Sequence, residues 1–275
     1  MIVFLALNLF LLEQWWTLQT AVGTYQEPYA DQLANVKRAL AQHHVSVTAN
    51  VPNVEPILSL LRATHLQDSF DHVAATVLQL PLSQVKAHEV HSQEVILPYA
   101  TFTENRSGEL HLSLQYQAQT VIDSHISALH QIEKWAAIHV YQFTDYRFWG
   151  WNHSARGITA VFDEQYQGYP IFHAKLTIMI ENGRIIGFRQ TYYTVDVTNP
   201  SRVVISAANA LLAMSLFMDK AHINEDNTVR TVVLGYDSGI QLPKVWFLTP
   251  VWRIYTDLGN FEVNAFTGEV GVEKS

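Results

Sequence analysis

Thirteen histidines stand in a chain of 275 residues, and imidazole is the side chain best suited to move a proton near neutral pH or to hold zinc. Their spacing decides whether they can. His88 and His91 fall on a segment that alternates like a strand, where residues three apart face opposite ways. His125 and His130 lie on a helical pattern, about 140° apart around its axis, so they cannot share an ion unaided. His43-His44 is an unsupported pair, and no HExxH occurs. The histidines therefore read as surface or half-buried side chains, and no metal or other cofactor is expected.

Nucleophilic chemistry has no better footing. There is no cysteine and no GxSxG elbow, and Tyr236-Asp237-Ser238-Gly239 reads as a turn. Asp163 and Glu164 are adjacent carboxylates on a strand pattern; they point to opposite faces and cannot serve one bond as acid and base. Solvation of a strand end is their expected role. Gly183 to Gly187 (GRIIG) lies inside a hairpin pattern, so it is not a phosphate loop. No catalytic residue is expected.

What remains are the elements themselves. The composition is 48% hydrophobic and 15% charged, which excludes a disordered chain. Seventeen basic residues against 25 acidic ones leave no clustered positive surface for phosphates, so nucleic acid is not an expected partner. The absence of cysteine also removes disulfides, thiolate sites and a lipoprotein anchor.

Met1 to Leu12 (MIVFLALNLFLL) is apolar except for Asn8, and Trp15-Trp16 follow at its edge, where a membrane interface favours tryptophan. Twelve residues of helix cover only about 18 Å of a hydrocarbon layer roughly 30 Å thick. A cleaved signal peptide lacks its basic start and small-residue cleavage site here. A buried core helix is the other alternative. The favoured reading is a single transmembrane anchor whose span begins upstream of the given start. In it Asn8 would bond to another helix, because a carboxamide in lipid needs a partner. The second apolar run, Val203 to Met218, is bounded by Pro200 and Asp219-Lys220 and reads as a buried helix packed on both sides.

Periodicity gives the rest of the architecture. Leu33, Val36 and Leu40 mark a helix from about Asp31 to His43, and Leu58 to Leu61 and Leu66 to Leu78 suggest two more. Val85 to Pro98 alternates like a strand, as do Leu110, Leu112, Leu114 and Tyr116 after the turn Asn105 to Gly108. The order then repeats. Ile122, Ile126, Leu129, Ile132 and Ala136 have helical spacing. Strands follow at Ile158 to Gln165, Ile171 to Ile180 and Arg184 to Val195, with Asn182-Gly183 a strong hairpin signal. A strand near Thr228 to Tyr236 and a hairpin of Val251 to Thr256 with Phe261 to Phe266 close the chain. The fold class read from this is α+β: an anchor at 1–18, a juxtamembrane link at 19–30, and helix-plus-antiparallel-sheet subdomains at 31–120 and 121–275. The aromatic stretches Tyr141 to Trp151 and Trp246 to Tyr255 suit either a recognition surface or, preferably, the packing of two small cores.

Several segments in order resemble one family: the apolar run Phe4 to Leu12, Tyr166 to Phe172 (YQGYPIF), Asn182 to Gln190 (NGRIIGFRQ), Pro250 to Ile254 and Val263 to Glu269. They are similar to YycI, the membrane-anchored regulatory protein of the YycFG (WalRK) two-component system. The resemblance implies one N-terminal transmembrane helix, an extracytoplasmic α+β ectodomain related to YycH, and no catalysis. Its implied partners are the membrane, a sensor histidine kinase of the YycG/WalK type and a YycH-like companion, in control of cell-wall metabolism. Only the anchor inherits a contact role, through Phe4, Leu5, Asn8, Leu9 and Leu12. The alternative function is an anchored ligand- or peptide-binding sensor or inhibitor module of PepSY or cystatin type.

Overall fold

A computed structural model of the chain describes residues 28–65, 68–123, 126–155, 157–198, 200–223, 225–241 and 245–273. The proposed anchor, with Phe4, Leu5, Asn8, Leu9 and Leu12, lies outside the described residues. Among the described residues no helix is long and apolar enough to cross a membrane.

The chain opens with helix α1 (Tyr29–Ala41), which follows Pro28 and buries Val36 and Leu40 one turn apart. Short strands β1 (Val45–Val47), β2 (Ile57–Leu58) and β3 (Leu61–His65) come next. Helices α2 (Phe70–Leu78) and α3 (Leu82–His88) lead to β4 (Glu89–His91), β5 (Glu94–Ile96), β6 (Ala100–Glu104), β7 (Leu110–Leu114) and β8 (Thr120–Val121). Helix α4 (Ala128–His139) precedes the long meander β9 (Tyr146–Ser154), β10 (Gly157–Tyr166), β11 (Tyr169–Glu181) and β12 (Arg184–Gln190). Then come β13 (Tyr193–Val197), β14 (Arg202–Val203), helix α5 (Ala207–Ala221), β15 (Asn227–Gln241), β16 (Val245–Thr256), β17 (Gly259–Asn264) and β18 (Val270–Glu273).

Two hydrophobic cores result. One packs α1 and α5 against β3, β13, β15, β16 and β17, around Leu40, Leu61, Met214, Trp252 and Val263. The other packs α2 and α4 against the antiparallel array from β10 through β12 and β7 to β5, around Val77, Phe102, Trp135, Ile178 and Phe188. Both cores draw residues from either side of position 120, so the helix-plus-sheet units interleave along the chain. The reason is strand pairing at long range: β3 lies between β13 and β16, and β12 lies beside β7.

Local expectations shift where flanking residues outweigh periodicity. Leu58 to Leu61 is not helical; β2 and β3 pair with β14 and β13, and the extended backbone gives Leu58 and Leu61 a sheet face to bury. The alternating stretch from Val85 begins inside α3, because Pro81 sits at that helix's start, where its fixed φ and missing N–H fit. Asn182-Gly183 forms the turn its type demands, with φ of 49° and 69°. Helix α5 is capped by Ser206, whose hydroxyl accepts the Asn209 N–H at 3.2 Å. It packs on one side, since Leu212 and Leu216 are exposed.

Candidate functional site

The two cores meet along the β10–β11 hairpin, which passes from Phe162 and Leu176 in one to Ile171 and Ala174 in the other. Sheet pairing makes β11 a shared strand: Ile171 pairs in parallel with Tyr236 of β15, and from Leu176 onward β11 pairs with β12. The crossing is close enough to require a glycine. A Cβ on Gly235 would lie 2.5 Å from the Pro170 carbonyl oxygen and 2.7 Å from Phe172 Cζ.

On the sheet of the first core, Trp252, Ile254, Phe261 and Val263 join the cluster built with α5, so alternation turns Arg253 and Glu262 to the other face. There β11 covers Arg253. Arg253 is buried to 4% exposure and lies with its guanidinium carbon 4.0 Å from the centre of the Phe172 ring. Arg253 donates to Asp237 and to Glu262. His173 Nε2 stands 2.7 Å from the other oxygen of Asp237. Two residues further along β11, Lys175 donates to the buried Asp163 at 2.9 Å. Residues i and i+2 of a strand share a face, so β11 offers one cation to each sheet.

Burial pulls the Asp237 carboxyl up, but hydrogen bonds from His173 and Glu262, with the charges of His173 and Arg253, hold it down at about 2. Burial and the neighbouring Asp237 push Glu262 up to about 7. Of this acid pair, Glu262 is therefore the member that takes a proton more readily. His173 is raised by its hydrogen bond to Asp237, which outweighs burial.

Glu164 holds the opposite side of the seam. Its carboxyl is 3% exposed and accepts the backbone N–H of Tyr193 at 2.9 Å, where the chain leaves β12 for β13. Burial pushes it up to about 8, against the pull of that N–H and with a small further push from Asp145. The expectation that Asp163 and Glu164 solvate a strand end is thus corrected. A register shift between Asp163 and Gln165 lies where β10 enters the seam, and both carboxyls are covered. Tyr236-Asp237-Ser238-Gly239 is likewise not a turn but part of β15.

These groups are already joined to one another, and Asp237 and Glu262 also line a small pocket of about 210 Å³ with Ser238 and Thr249. Among the described residues no group of three His, Cys, Asp or Glu could hold a metal ion. Another opening lies elsewhere, an apolar groove of about 540 Å³ lined by Ile122, Ala128, Trp151, Ile158, Ile180 and Gly183. His153 and Asn182 are the polar side chains on it. Trp151 and Ile158 remain 40% exposed there. Among the described residues, strand β9 beside it pairs with β10 alone, so its outer edge faces away from the sheet. Such a surface suits contact with an apolar part of another protein more than it suits chemistry.

Of the histidines weighed in the sequence, His88 ends α3 and His91 lies on β4, while His125 lies outside the described residues. The seam residues His173, Asp237, Arg253, Glu262 and Glu164 were not legible as a group. One signal was available: the hairpin around Gly259 places Glu262 directly across from Arg253, an arginine between two apolar neighbours.

A family model described as YycI protein matches residues 26–266. No curated protein matches the chain. The crystal structure of an uncharacterized protein from Eubacterium rectale is similar in fold, with a TM-score of 0.53 and 11% identity over 90% of this chain and 99% of that one. The Bacillus megaterium YpeB C-terminal domain aligns over 77% of this chain and 99% of its own length, at 15% identity and a TM-score of 0.38.

Proposed function

This chain belongs to the YycI family, and we propose on that premise that it is a non-enzymatic regulator of a sensor histidine kinase in a two-component system. The family match over residues 26–266 is the observation that carries the reading. The regulator is held in the cell membrane by the apolar run at residues 1–18, with the α+β region outside the cell. Phe4, Leu5, Asn8, Leu9 and Leu12 contact the transmembrane helices of its partners, the kinase and a YycH-like companion. Its output is control of cell-wall metabolism. Regulation of this kind needs no catalytic residue: a contact that favours one signalling state of the kinase by about 1–3 kcal/mol is sufficient. The apolar groove beside β9 and the exposed Trp151 and Ile158 support a role in contact.

The test is affinity purification of the full chain from membranes in mild detergent. A histidine kinase and a companion of YycH type should co-purify, and substitution of Asn8 by Leu should reduce the yield of both. Recovery of the intact chain from the soluble fraction, free of any kinase, would overturn the proposal.

A further inference from the structure

Three chain crossings between the cores converge on one seam: β10 entering at Asp163-Glu164, β11 leaving at His173 to Lys175, and the step from β12 to β13 at Tyr193. Backbone pairing across this seam is thin. Ile171 opposite Tyr236 is the register pair that joins β11 to β15. Beyond it, the Thr191 N–H donates to the Lys175 carbonyl at 2.8 Å, and side chains add further ties. His173 Nε2 to Asp237 ties β11 to β15, and the Glu164 carboxyl receives the first amide of β13.

We propose that this seam is a proton-operated hinge, held closed while His173 and Glu164 carry their protons and loosened when both lose them. The surroundings of each group fix the sign. Glu164 is faced by Asp145, Tyr146, Tyr192 and Tyr193, an acid and three phenols with no cation among them. Ionising Glu164 would strand a negative charge in a dry pocket with one amide to receive it. His173 is faced by Asp237, Arg253 and Glu262, and its ring lies 6.0 Å from that of Trp246. Losing the imidazolium leaves Asp237 with Arg253 as its remaining cation and removes the charged tie between the two sheets. Glu262 works in the same direction, since its ionisation sets a second carboxylate beside Asp237. All three groups favour closure in their protonated forms, so their effects add as pH rises. The Asp163–Lys175 pair holds β11 to β10.

A hinge is distinguished from general unfolding by where protection is lost. Amide hydrogen exchange of the full chain, corrected for the intrinsic base-catalysed rate, would be followed from pH 6 to pH 9. Protection at β13 and at residues 171–175 should fall at least about tenfold, the change for one net proton released over one pH unit. The β12–β7 ladder in one core and the β16–β17 hairpin in the other should lose clearly less protection than the seam. Glu164→Gln, neutral at every pH, should keep the Tyr193 amide protected at pH 9. Constant protection at the seam would overturn the proposal. So would an equal loss in all three regions, which is global destabilisation, or undiminished pH sensitivity in Glu164→Gln. If that variant fails to fold, the regional pattern in the unaltered chain decides alone.

Discussion

The Arg253 guanidinium lies against the Phe172 ring at 4.0 Å, which makes one strand of the first core and the shared hairpin meet through a cation and an aromatic face. The same guanidinium neutralises Asp237 and bonds Glu262. Replacing it leaves the buried Asp237 with His173 as its remaining partner and removes a bond to the half-buried Glu262, and breaking a buried pair from one side costs about 3–5 kcal/mol. Arg253→Ala should therefore lower the urea midpoint sharply. Arg253→Lys should recover only part of the loss, because an ammonium cannot both fork to two acids and lie flat on a ring. A midpoint unchanged in Arg253→Ala would show that the seam does not depend on this contact.

Gly235 is the second fixed point. Its neighbours across the crossing are the Pro170 carbonyl and the Phe172 ring, both closer than a Cβ allows. One of these contacts is backbone, so a side-chain rotation alone cannot relieve it. Gly235→Ala should cost about 1–3 kcal/mol, in the range of overpacked cores. Thermal unfolding measures this directly, and an unchanged melting temperature would mean that the hairpin leaves room for a methyl group at β15.

Stability should also vary with pH on two separate arms. Asp237 is held at about 2, below its ordinary value, so its contribution is present above pH 4 and lost as pH falls through about 2. Glu164 is raised to about 8, so its folded form binds the proton more tightly than the unfolded chain does. Stability from it is full below about pH 4.5 and declines as pH rises through about 8. Glu164→Gln should remove the second arm and leave the variant more stable than the native chain at pH 9, by on the order of 2–4 kcal/mol. Denaturant unfolding at pH 5, 7 and 9 gives the comparison; equal slopes for both proteins would refute it.

How much of this was legible in the sequence follows from which forces act locally. The helix at Leu33, Val36 and Leu40, the Asn182-Gly183 hairpin and the closing hairpin around Gly259 depend on neighbours a few residues away, and each stands where its pattern put it. The pairing of β3 with β13 and β16 depends on residues more than a hundred positions apart, so the interleaving of the two cores left no local trace. Asp163 and Glu164 were misplaced for the same reason. An acidic pair at a strand end is solvated by default, and its burial is caused by Lys175, Tyr193 and the crossing β15, none of which alternation reveals. The family resemblance read from the motifs agrees with the match to residues 26–266.

Ile158 offers a way to separate surface from core. It is 40% exposed, lines the groove beside Trp151 and pairs in register with Ile180 on one side and His153 on the other. Ile158→Thr keeps the β-branched shape that a strand favours but adds a hydroxyl to the apolar lining. Stability should change by less than about 1 kcal/mol, as surface substitutions usually do. If the groove receives an apolar side chain of a partner, the kinase or companion recovered with the chain should fall several-fold, because an uncompensated hydroxyl in such a contact must be desolvated. Paired measurement of the urea midpoint and of co-purification yield tests both halves. Unchanged yield with unchanged stability would remove the groove from the contact surface and leave the anchor as the place where partners meet.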